Sequence, residues 1–123
     1  MSKTEKKNEN YLNKQRVYDL ADHYQRRGLS ANPCSQPYGY DIDIGFQPVY
    51  DGILIDREEC FTLTGRNADS LLRDANNYLE AFTLDVEKAR NSGNKKAYEY
   101  AYGCAEIAEL ILQVTEEWVE ANG

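Results

Sequence analysis

Tyr40-Asp41-Ile42-Asp43-Ile44-Gly45-Phe46 is the stretch on which the fold turns. A strand sends successive side chains to opposite faces, so Tyr40, Ile42, Ile44 and Phe46 share one side and Asp41 and Asp43 the other. That alternation predicts a strand with one buried face and one wet face. Pro48 has no N–H to give to a ladder, so it bends or ends this strand or puts it at a sheet edge. Beyond it, Asp51-Gly52 stands between Val49-Tyr50 and Ile53-Leu54-Ile55, a hairpin signal, because the favoured two-residue turn needs residues that tolerate positive φ. Asp56-Arg57-Glu58-Glu59 makes a further turn, and Cys60-Phe61-Thr62-Leu63-Thr64 completes a third strand. The three runs predict a short antiparallel meander.

Helical patterns flank these runs. From Glu9 to Arg27, residues Tyr11, Val17, Tyr18, Leu20, Ala21 and Tyr24 recur at helical spacing, with Arg26-Arg27-Gly28 supplying cations and a terminating glycine. Residues 30–39, with Pro33, Pro37 and small polar side chains, predict a loop, and its length makes it a candidate binding segment with Tyr38 and Tyr40 as contact residues. Asn67 is placed to cap a helix whose apolar stripe runs Ala68, Leu71, Leu72, Ala75, Tyr78, Leu79, Phe82, Val86 and Ala89. Asn91-Ser92-Gly93-Asn94 breaks it, and a last helix follows. The expected architecture is α+β: an N-terminal helix, a three-stranded antiparallel meander and two C-terminal helices packed on one face of the sheet. Residues 1–8 are expected to form a disordered tail and 9–123 a single α+β domain.

The net charge of -7 is unevenly spread: residues 1–40 hold seven basic and four acidic side chains, residues 41–123 seven basic and seventeen acidic. The acidic part repels nucleic acid and anionic lipid and attracts basic protein. Three widely spaced cysteines, Cys34, Cys60 and Cys104, argue against a disulfide framework and fit a reducing, cytoplasmic setting. The first ten residues lack the apolar core of a signal peptide, and no window approaches transmembrane length.

The last helix adds the most specific feature. Between Ala97 and Gly123 there are six acids, Glu99, Glu106, Glu109, Glu116, Glu117 and Glu120, and no lysine or arginine. At about 100° per residue all of them fall within roughly 100° of arc, opposite Ala97, Ala101, Cys104, Ala108, Ile111 and Trp118. A single-sign face forgoes acid–base pairing one turn apart and repels itself, so it suggests a partner. Tyr98 and Tyr102 fall in the same arc and suit contact with an arginine-rich surface. Along a helix about 36 Å long the glutamates supply roughly one charge per 6 Å, against one per about 1.7 Å of duplex DNA. Imitating a duplex therefore needs a second row, for which Asp41, Asp43, Asp51, Asp56, Glu58 and Glu59 are the candidates. The plainer alternative is that these acids only keep a small chain dissolved.

Other constellations are weaker. Arg16, His23 and Arg27 with Lys14 and Arg26 form a basic edge on the first helix, which serves phosphate, acidic protein or the chain's own acidic half. A nucleophile pair of Cys34 and His23 with Arg27 is the minimal enzyme reading, with no oxyanion loop behind it. Asp41-Ile42-Asp43-Ile44-Gly45 opens like a calcium loop, but Gly52 stands where the bidentate glutamate belongs. No metal or cofactor site is expected. The leading expectation is a non-enzymatic binding protein that occupies the basic surface of a nucleic-acid-binding protein or nuclease, with no direct contact to nucleic acid or membrane. In general character, though in no motif, it is similar to anti-CRISPR and antirestriction proteins of phages and mobile elements. The runner-up is a structural or adaptor domain that forms a homodimer through Ile107, Val114 and Trp118 on the wide apolar arc of the last helix.

Overall fold

The structure, a computed structural model, describes residues 11–122. The order of elements is α1 (Lys14–Arg26), β1 (Ser30–Gln36), β2 (Gly39–Phe46), β3 (Val49–Tyr50), β4 (Ile53–Leu54), β5 (Glu59–Gly65), α2 (Ala68–Ser92) and α3 (Lys95–Asn122). This is an α+β domain: an N-terminal helix, an antiparallel sheet of three main strands, and two C-terminal helices packing against it. The expected tail at residues 1–8 lies outside the described residues. Among the described residues, no helix is long and apolar enough to cross a membrane.

The strand read from Tyr40 to Phe46 is the centre of the sheet, whose order is β1-β2-β5. Ile42 pairs with Pro33 on one side and Leu63 on the other, and Ile44 with Ala31 and Phe61. All of these except Pro33 are buried against Val17, Leu20 and Tyr24 of α1, Leu71 and Ala75 of α2, and Ile111, Val114 and Trp118 of α3. Asp41 and Asp43 face the other way, as the alternation requires.

Two sequence expectations are corrected. Residues 30–39 are not a loop: Ser30–Gln36 is the first strand of the sheet and hairpins directly into β2, with Gln36 opposite Gly39. Proline is tolerated because β1 is an edge strand, and the Gln25 amide donates to the outward Ala31 carbonyl at 2.9 Å on the same margin. Conversely, the hairpin at Val49–Leu54 forms but is not part of that sheet; β3 and β4 make a separate two-stranded ribbon. Asp51 (φ 52°) and Gly52 (φ 77°) adopt the positive φ pair of a type I′ turn.

The opposite margin of the sheet is closed by α2. Tyr78 Oη accepts the Thr62 N–H at 3.2 Å, and Asp74 Oδ2 accepts the Thr64 N–H at 2.8 Å. Asn67 caps α2 by accepting the Ser70 N–H, and Gly93, in left-handed conformation, ends it. The first helix starts later than its periodicity suggests, because Asn13 takes the cap position; Tyr11 instead bridges to Asn67 and is exposed. Tyr18 is also exposed, while Val17, Leu20, Ala21 and Tyr24 are buried. Inside, the Tyr24 hydroxyl donates to Thr115 Oγ1, which itself donates to the Ile111 carbonyl. Burial pushes the Tyr24 hydroxyl well above its ordinary range.

Candidate functional site

Asn94 opens α3 by accepting the Ala97 N–H at 3.1 Å, and the helix then runs unbroken to Asn122. Its inner face, Ala101, Cys104, Ala108, Ile111, Val114, Thr115 and Trp118, is buried. Its outer face exposes Tyr102, Glu106, Glu109, Gln113, Glu116, Glu117 and Glu120, a continuous row at three- and four-residue spacing. Glu99 is half-buried at the start of this row. Glu117 is paired with Arg27 of α1 at 3.3 Å. Glu106, Glu109, Glu116 and Glu120 have no cation within ion-pair distance among the described residues.

Asp41 and Asp43 do not extend that row. They stand on the face of the sheet directed away from the core, whereas the glutamates stand on the face of α3 directed away from the same core, so the core separates them. Their carboxylates are also engaged. Asp41 accepts the Thr64 hydroxyl at 2.7 Å and the Tyr38 hydroxyl at 2.8 Å, and Asp43 accepts the Thr62 hydroxyl at 2.8 Å. The Asp41 carboxylate beside it raises the Tyr38 hydroxyl above its ordinary range. Glu59 is held by Arg57 at 2.8 Å and by the Tyr100 hydroxyl, with the Arg57 guanidinium 4.6 Å from the Tyr100 ring centre.

Tyr98 and Tyr102 serve a packing role that spacing alone does not show. Tyr50 of β3 meets both rings edge-on, at 5.9 and 5.4 Å between centroids. Arg90 lies 5.7 Å from the Tyr98 ring. The hairpin backbone comes so close to α3 that a Cβ on Gly103 would stand 3.0 Å from both Pro48 Cβ and the Val49 carbonyl oxygen. Those ring contacts set the hairpin against the first turns of α3, and desolvation, then neighbouring Tyr98, Glu99 and Asp51, push the Tyr50 hydroxyl up. What the ribbon leaves in solvent is apolar: Ile53 is 70% exposed, Leu54 62% and Val49 36%. Among the sequence candidates for a contact surface, none of these three residues appears. The sequence signal for them is the run Ile53-Leu54-Ile55, which breaks the alternation of a half-buried strand.

Arg16, His23, Arg26 and Arg27 of the basic edge of α1 are engaged within the chain. Arg16 donates to the Tyr11 carbonyl at 2.7 Å and the Asn122 carbonyl at 3.0 Å and lies 5.0 Å from the Trp118 ring, so a cation sits at the C-terminal end of α3 where the helix dipole favours it. Arg26 pairs with Asp22 at 2.7 Å, and Asp19 accepts the Trp118 indole N–H at 2.8 Å. His23 Nδ1 is bonded to the Asp19 carbonyl, and the cleft beside Cys34 is lined by Lys14, Tyr18, Pro33, Ser35 and Tyr40, so His23, Arg27 and Cys34 are not brought together. Cys34 and Cys60 are exposed, and burial raises the Cys104 thiol to about 11. The apolar arc of α3 is covered within the chain: Val114 and Trp118 are buried and Ile107 packs against the core. Among the described residues, no group of three or more histidines, cysteines or acids is arranged to hold a metal ion.

No protein-family description matches this chain, and neither a curated protein nor a solved structure shows significant similarity to it.

Proposed function

We propose that this chain is a small acidic binding protein that works by occupying a basic surface on a partner protein, in the first instance a nucleic-acid-binding protein or nuclease of the kind that phage and mobile-element inhibitors block. The observation that carries the reading is the outer row of α3, where Glu106, Glu109, Glu116 and Glu120 stand exposed with no cation partner among the described residues. A mixed-sign face would gain from pairing along the helix, and this one gives up that gain. Glu117 is excluded from the docking set because Arg27 holds it. Because Asp41 and Asp43 lie across the core, the reading is of charge-directed docking through one helix, not of two rows spaced like the strands of a duplex. Such docking speeds association and weakens as salt rises.

The test is capture from the native host on the immobilised chain, comparing the wild type with a variant in which Glu106, Glu109 and Glu116 are changed to lysine. The wild type should retain a basic nucleic-acid-binding protein at low salt and release it at high salt, and the variant should retain none while keeping its helical circular dichroism. Equal retention by the variant would remove the glutamate row from the mechanism.

A further inference from the structure

A ribbon of two residues per strand is marginal on its own, yet here it is fixed in place. Its turn is type I′, Tyr50 is wedged against Tyr98 and Tyr102, the Ile55 N–H donates to the Pro48 carbonyl at 2.8 Å, and the Gln47 amide donates to the Ile55 carbonyl at 2.9 Å. Ile53 and Leu54 are consecutive, so they point to opposite faces of β4, and both are in solvent. A rigid support that presents two aliphatic side chains has already met the ordering cost of binding. Acids predominate around it: Asp51 in the turn, Asp56 and Glu58 after it, and Glu99 next to Tyr98 and Tyr100 on α3, with Arg90 of α2 set against the Tyr98 ring. Arg57, the one cation between Val49 and Glu59, is tied to Glu59 and lies over Tyr100.

We infer that the Val49–Leu54 hairpin is the apolar anchor of the acidic docking face, and that its occupant is an apolar socket rimmed by lysine or arginine on a partner protein. The inference rests on the docking role proposed above. An apolar centre inside a polar rim is the anatomy of a protein interface, and the excess of acids in this rim favours a cationic one opposite. An anionic lipid surface is repelled by the same acids. A second copy of this chain, docked by twofold symmetry, would bring like charges together.

The experiment titrates the isotope-labelled full chain with two synthetic arginine-rich peptides of equal length and charge, one carrying leucines at helical spacing and the other serines at those positions. The leucine peptide should bind about thirtyfold more tightly, the effect expected from covering one of the two opposed aliphatic side chains. It should shift the amides of Ile53 and Leu54 along with those of Tyr102, Glu106 and Glu109. Changing Ile53→Ser and Leu54→Ser together should erase the difference between the peptides while both still bind. Equal affinities of the wild type for the two peptides overturn the anchor but leave the glutamate row standing. Loss of both peptides from the wild type overturns the docking role itself. Light scattering adds one further arm: self-association that Ile53→Ser abolishes would overturn the inference in favour of a second copy as occupant.

Discussion

Replacing Gly103 by alanine sets two effects of similar size against each other. Gly103 lies inside α3, where alanine in place of glycine ordinarily favours a helix by about 1 kcal/mol. The added carbon would meet Pro48 Cβ at 3.0 Å, the Val49 carbonyl oxygen at 3.0 Å and the Val49 nitrogen at 3.2 Å. Comfortable carbon contacts begin at about 3.5 Å, so the hairpin must recede by roughly half an ångström. Receding loosens two edge-on ring contacts of Tyr50, worth about 0.5–1.5 kcal/mol each. Because the ribbon is outside the main sheet, the strain is released locally and the core is spared. Stability to urea should therefore change by no more than about 1 kcal/mol, while local opening of the hairpin rises about tenfold. The reporter is native-state hydrogen exchange of the Ile55 amide, which is bonded to the Pro48 carbonyl. Unchanged exchange at Ile55 together with a gain of about 1 kcal/mol would refute the idea that the ribbon presses on the helix.

Tyr24→Phe removes the hydroxyl that donates to Thr115 and should cost about 1 kcal/mol by urea titration, since Thr115 keeps its bond to the Ile111 carbonyl. Stability should fall at alkaline pH. The Cys104 thiol is raised from 9.0 to about 11 and the Tyr24 hydroxyl is raised from 10.0. Both are uncharged when protonated, so from about pH 9 upward the unfolded chain loses protons that the folded chain keeps. A urea midpoint as high at pH 10.5 as at pH 8 would contradict this. Asp74→Ala leaves the Thr64 N–H without its acceptor and should cost about 1–2 kcal/mol, with faster exchange at that amide and no change at Ile44.

The main strand, the hairpin turn and the second and third helices were legible because each is set by a local rule: alternation, an Asp-Gly turn, an asparagine cap and apolar spacing. What was not legible depends on position in the sheet. Ser30–Gln36 reads as a loop because Pro33 and small polar residues disfavour a central strand; its tolerance at a margin is a tertiary fact. The glutamate row could be drawn from spacing alone, since it needs only helical geometry. The placement of Asp41 and Asp43 across the core could not, because it depends on which side of the sheet the helices occupy. The pairing of Glu117 with Arg27 joins residues ninety positions apart, and nothing local marks it. Tyr98 and Tyr102 look like contact residues until the hairpin is seen to rest on them.

The closed margins of the sheet bear on what the glutamates are for. Fibrils grow by main-chain recruitment onto a bare strand, and here Tyr78 and Asp74 plug one flank while Pro33 and Gln25 blunt the other. For the three-stranded sheet, resistance to polymerisation is thereby built into the backbone's own neighbours, independently of electrostatic repulsion between molecules. Charge on α3 is not needed to guard that sheet, and chains stripped of it should not polymerise through β1 or β5.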